Sequence, residues 1–537
     1  MREITPSPKR RRMQMSLLKA TVAILVVATC AGVSSAVGGS RQSIPVFRVG
    51  STTISTLNYD KSNSGYYYGM GQLVLEPLVV LSKAGKIEPW LAQSWNQSGP
   101  TTYVYHLRHG AKFSDGAPLT ARDVVFSLNF YRRQGSANSY NFPSTLKSIT
   151  AVNPSTVKIT FTAPNAAWAV IPTGAQLGIF EEKFYEQHKA TFGQPGTGVI
   201  GTGPWAITKF DPTSGAQLTA NSHYWGGAVS IKQIQWTFYS SETSEALAFR
   251  SGEIDLAFPS DNKSFAATAG TKLVTAPGEQ LEITLSMNTL AAPWSDVHVR
   301  RAVAYAVNRQ ALIAAYGGYA QPVSTLIPPV LLRQLGSQSQ INSALRSVPT
   351  YTYSVAKAKA ELKKSAYPNG AKVTLAALNQ PAIVNMTQVL KTQLAAIGIQ
   401  ATIKVENVDP NTAEITGSDR KAVQSQIAPY GGVSPDPGGI YDYALGSKNA
   451  SSGNWNASNW SNATVDNLIA KGFAATKAST RLQIYGQLLT QLGQNVPYVP
   501  IAMVNGTVAV ASKYTWPTFD SFWANLGPWA LGIHAVK

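Results

Sequence analysis

At 537 residues, with 44% apolar and 13% charged side chains, the chain is too long for one ordinary domain and too apolar to be disordered. Its one cysteine, Cys30, excludes an internal disulfide, and leaves no cysteine nucleophile or thiolate metal site in the body. The net charge is +18, of which the first 36 residues supply five; the other lysines and arginines are scattered, which argues against nucleic acid as a partner.

The chain opens on a basic stretch, Lys9 to Arg12 with Lys19, followed by the apolar run TVAILVVATCAGV from Thr21 to Val33. That run falls short of the roughly 20 residues that span a bilayer and reads as an export signal over residues 1–36. Two processing routes stay open. Cleavage after Ser34-Ser35-Ala36 would start the mature chain at Val37; a lipobox at Val27-Ala28-Thr29 would make Cys30 its lipidated first residue. Either way the expected location is the periplasm or the outer face of the cytoplasmic membrane.

Past a short Gly/Ser linker, strand-like alternation begins at VFRVGSTTISTL and recurs at Thr102–Leu107 and Thr156–Thr162. Thr120 and Asp123 form a capping-box pattern ahead of VVFSLNFYRR, in which Val124, Leu128 and Tyr131 share a helix face. Val299–Tyr316 carries an Ala-rich apolar stripe, Ser354 is placed to cap VAKAKAELKKS, and Leu482–Leu492 repeats at helical spacing. Strands and helices interleave from end to end, which predicts an α/β fold.

Catalytic patterns are missing. His106 and His109 are three apart without a third ligand near, and there is no Gly-x-Ser-x-Gly elbow. Gly196-x-Gly198-x-x-Gly201 matches a dinucleotide loop in letters, but a strand-like run follows it where a helix would have to start. No enzyme activity, cofactor or metal is expected.

Ten segments in order carry a resemblance. They include LEPLVVLSKAGKIEPWLAQSW (from Leu75), YHLRHGAKFSDGAPLTARDVVFSL (from Tyr105), GTGPWAITKFDP (from Gly201), RSGEIDLAF (from Arg250) and MNTLAAPWSDVHVRRAVAYAVNR (from Met287). Together, over about residues 45–515, the chain resembles the bacterial solute-binding proteins of the peptide/nickel class, the dipeptide- and oligopeptide-binding proteins of ABC importers. The resemblance implies a two-lobed Venus-flytrap fold with an extra inserted domain. Lobe I would comprise 43–80, 200–285 and 505–537, the inserted domain 81–199, and lobe II 286–504. It also implies a monomer that captures a short peptide and delivers it to membrane permeases coupled to ATPases, or alternatively an oligosaccharide or other non-peptide solute.

Under that resemblance the ligand-binding candidates are Tyr66 and Tyr67 in an early loop, Glu282 at the crossing between lobes, Tyr430, Gly432, Val433 and Asp436 in the loop before Pro437, and Asn454 with Trp455. Asp115, Asp123, Asp255, Arg300 and Arg301 are expected to be structural. Peptide-binding members place an acidic residue where Val433 stands, to pair the peptide's α-ammonium. A buried ammonium without a partner costs several kcal/mol, so Asp436 or Glu282 takes that role, or the ligand has no free amino terminus.

Overall fold

The structure, a computed structural model, describes residues 42–61, 69–133, 136–259, 262–266, 270–278, 281–326, 329–431, 436–520 and 523–536. The signal segment 1–36 with Cys30, and candidates Tyr66, Tyr67, Gly432 and Val433, lie outside the described residues. From Ser43 onward the chain forms one unit.

Strand β1 (Ile44–Thr52) opens the body. A small hairpin, β2 (Val79–Leu81) and β3 (Ile87–Pro89), precedes a four-stranded antiparallel sheet. That sheet is made by β4 (Ala92–Gln97), β5 (Thr102–Leu107), β6 (Leu146–Asn153) and β7 (Thr156–Phe161), in the order β4-β5-β7-β6. The alternation in β5 is real: Tyr103, Tyr105 and Leu107 are buried and the residues between them are half-exposed. The Asp115-Gly116 turn precedes the helix Ala121–Arg132. Gly116 adopts φ +95°, and Asp115 Oδ1 accepts the Ala117 N–H at 2.9 Å. At the helix start Asp123 Oδ2 accepts the Thr120 N–H at 3.0 Å, the return bond of a capping box. Val124, Leu128 and Tyr131 are buried on its inner face.

Strands β8 (Trp205–Asp211), β9 (Gly215–Ala220), β10 (Ile231–Tyr239), β11 (Leu256–Ala257) and β12 (Thr271–Ala276) then join β1. With β19 (Gly506–Ala511) they make a seven-stranded sheet in the order β12-β19-β11-β1-β10-β9-β8. The glycine pattern at 196–201 leads into β8 and not into a helix. At Gly201 a Cβ would run into the backbone carbonyl of Val74, so the glycine is there for close backbone packing.

A six-stranded sheet follows. It consists of β13 (Leu281–Ser286), β14 (Ala320–Pro322), β15 (Ala371–Leu378), β16 (Ile399–Glu406), β17 (Ser425–Gly431) and β18 (Tyr498–Val504), in the order β14-β18-β13-β17-β15-β16. One face packs on a core of Ile283, Leu285, Val303, Leu375, Leu390 and Ile501, and the other on Tyr441, Tyr485, Leu488 and Tyr498. The Ala-rich stripe at 299–316 is two helices, Val297–Ala306 and Arg309–Tyr316. Asn308 divides them, its side chain capping the second by accepting the Ala311 N–H at 3.2 Å.

The acidic and basic residues of the quoted motifs hold the scaffold. Asp255 is buried and accepts the Arg48 backbone N–H (3.0 Å), its guanidinium (2.9 and 2.8 Å) and Lys513 Nζ (2.8 Å). Arg300 donates to the carbonyls of Trp294, Ser295 and Asn495, and Arg301 to that of Gln494.

Candidate functional site

The chain passes between the two large sheets twice, from β12 to β13 and from β18 to β19. The strand directions place both passages at one kind of edge. In the seven-stranded sheet β10 and β11 run parallel to β1, and all three end on the side where Ala276, the last residue of β12, pairs with Gly506, the first of β19. In the six-stranded sheet β15, β16 and β17 are parallel; β13 starts at their carboxyl side, with Leu281 opposite Gly431, and β18 ends there, with Met503 opposite Glu282. The carboxyl edges of both parallel sets therefore flank the two passages. Open α/β sheets hold ligands in the crevice outside this edge, where loops diverge and backbone groups are free.

The two passages are tied to each other. Gly278 N–H donates to Asn505 Oδ1 at 3.3 Å, and the Asn505 N–H donates to the Tyr319 carbonyl at 3.0 Å.

Of the candidates read from the sequence, the fold brings Glu282 and Tyr430 together as directly paired residues of β13 and β17 at the carboxyl edge. Glu282 is 2% exposed. Asp436 has a scaffold partner. Both its carboxylate oxygens lie 2.8 Å from Arg481 Nη2, and Oδ1 also accepts the Gly438 N–H at 2.8 Å, capping the helix Pro437–Leu445. The pair is buried, Arg481 also donating to the Tyr485 hydroxyl at 2.7 Å. Burial works against the Arg481 charge, but the Asp436 carboxylate holds it above its ordinary range. Asn454 is turned into its own loop, its amide donating to Ser451 Oγ at 3.0 Å. Trp455 packs half-buried against the core around Tyr485.

The four-stranded sheet reaches this region. Its 3-10 turn Ala166–Ala169 packs on the helix Ala463–Ala474, and Tyr103 feels both Arg481 and Asp436. Burial, the larger effect, pushes the Tyr103 hydroxyl up to about 12, and that hydroxyl donates to the Asn165 carbonyl at 3.2 Å.

Sequence reasoning missed three groups. Arg481 is 45 positions from Asp436, and no local pattern links them. Phe258 follows β11 at the carboxyl edge and stacks on Trp523, ring centroids 5.0 Å apart and planes 23° apart. Gln72 is 1% exposed with neither amide atom hydrogen-bonded. Phe258 ends a quoted motif, so its position after a short buried strand was a usable signal; the other two had none. Among the described residues no group of His, Cys, Asp and Glu is arranged to hold a metal ion, and no helix is long and apolar enough to cross a membrane.

Two sheets joined by two passages, with parallel carboxyl edges facing them, define a two-lobed receptor of the binding-protein type. Residues 86–452 match the middle region of the bacterial extracellular solute-binding proteins, family 5, and the chain belongs to that family. The glutathione-binding protein GsiB of Escherichia coli O1:K1 is 27% identical over 518 residues, 94% of each chain. The substrate-binding protein CtaP of Listeria monocytogenes superposes with a TM-score of 0.76 at 23% identity, covering 92% of this chain and all of that one. The Helicobacter pylori binding protein DppA, in complex with the peptide STSA, gives 0.73 at 22% identity over 93% and 99% of the two chains.

Proposed function

We propose that this chain is the exported receptor of an ATP-driven importer, and that it binds a short peptide or peptide-like solute between its two sheets without chemical change. The observation that carries the reading is the pair of carboxyl edges flanking two passages tied at Gly278 and Asn505. Two strands crossing side by side allow the bodies on either side to rotate and close on a ligand. The lobes are 43–80, 200–278 and 505–537 against 281–504, with 81–199 inserted; the boundary expected at 285 moves back to the passage because β13 (Leu281–Ser286) pairs within the six-stranded sheet. The partners are membrane permeases and, through them, ATPases; the receptor acts as a monomer. Peptide as the solute draws support from the glutathione-binding and peptide-bound relatives.

A second reading, a neutral solute such as an oligosaccharide, is favoured by one observation: Asp436 is neutralised by Arg481 and position 433 is valine. Of the carboxylates proposed for an ammonium, this leaves Glu282 at the edge. Thermal unfolding with millimolar tripeptides, glutathione or maltotriose separates the readings, because a ligand that binds only the folded state raises the midpoint. A rise with tripeptides or glutathione alone supports peptide capture; a rise with maltotriose alone replaces it.

A further inference from the structure

We infer that Gln72 and the Phe258–Trp523 stack form a subsite in the seven-stranded half that grips one residue of a peptide ligand by its backbone. The inference rests on the peptide reading and adds the lobe I side of the contact.

Both rings are half-buried at the carboxyl edge, and they do not belong to the closed core in the way Trp236 and Trp529 beside them do. The turn at Gly69 supports this platform. A Cβ on Gly69 would touch Trp523 at 3.5 Å and Trp236 at 3.6 Å, and the Gly69 carbonyl accepts Trp529 Nε1–H at 2.7 Å. The chain continues helically from there, Leu73 N–H donating to Met70 and Val74 N–H to Gly71. Gln72 is three residues past Gly69 and so shares its side of the turn.

A buried side-chain amide with neither its donor nor its acceptor bonded is costly and rare enough to need an explanation. A carboxamide presents N–H and C=O side by side. A single residue in extended conformation presents its own N–H and C=O the same way, as in the hydrogen-bonded pairs of an antiparallel sheet. Gln72 is thus matched to one extended residue of a peptide, while the aromatic pair covers the adjoining flat amide.

The test uses the full-length chain, a synthetic tripeptide library and the same library N-methylated along its backbone, with bound peptides eluted and quantified by mass. The wild type is expected to retain the plain library at least tenfold better than the methylated one. Gln72→Leu, which removes the empty amide, is expected to unfold at the same or a higher temperature yet lose at least tenfold in retention and the preference over N-methyl. Trp523→Ala is expected to weaken retention of both libraries. Gln72→Leu retaining peptides like the wild type would overturn the subsite. A wild type that retains neither library would remove the peptide reading beneath it, a different result from the first.

Discussion

Asn505 accepts the Gly278 N–H through its side chain, so the two strands that join the sheets are linked to each other and not only to their own sheets. In a closing motion of the proposed lobes, this link is expected to make the strands twist as a pair. Asn505→Ala is expected to loosen the pair at small cost to stability, about 1 kcal/mol for one net hydrogen bond. The readout is ligand dissociation by stopped flow, expected to quicken severalfold with a nearly unchanged unfolding midpoint.

Gly278 has a separate role. A Cβ there would run into the carbonyl oxygen of Val504, which is backbone and cannot rotate away. Gly278→Ala is expected to force the passages apart and cost roughly 1–3 kcal/mol, the range for overpacking. Urea unfolding checks it.

Arg481 and Asp436 form a buried pair whose worth shows when one partner is lost. Arg481→Met leaves a carboxylate buried without its cation, and is expected to cost about 3–5 kcal/mol. Arg481→Met with Asp436→Asn together is expected to recover much of that, because no unpaired charge remains and Asn still caps the helix. Thermal midpoints of the two singles and the double give the coupling.

Two buried carboxyls make stability depend on pH. Burial, with a smaller push from Glu242, raises Glu245 to about 8; burial raises Glu76 to about 7 against the donors Trp225, Thr202 and Trp90. The folded state holds these protons more tightly than the unfolded chain, whose glutamates titrate near 4.5. Their contribution is therefore complete below about pH 4.5, falls as pH rises, and is lost once it passes about 8. Glu245→Gln is expected to flatten the fall between pH 5 and 8 by an amount on the order of a few kcal/mol. Urea midpoints at those pH values measure it.

What the sequence disclosed followed from range. Thr120 and Asp123, Asp115 and Gly116, and the alternation in β5 are contacts within a few residues, so residue type and spacing determine them. The break at Asn308 was missed because the Ala-rich stripe continues across it, and a side-chain cap ended the first helix where composition did not. Glu282 was placed at a crossing between lobes, but its pairing with Tyr430 needed the register of β13 against β17. Asp436 looked available because its partner is on another helix. Phe258 and Trp523 meet only when the last segment of the chain folds back on the first sheet, which no local pattern reports.

The central claim, capture of a peptide between the two sheets, is tested most directly by native mass spectrometry of the purified chain, with the released material weighed after denaturation. The account predicts one or more bound masses that fragment as short peptides. A single bound mass with hexose spacing, or any non-peptide compound at full occupancy, would contradict it.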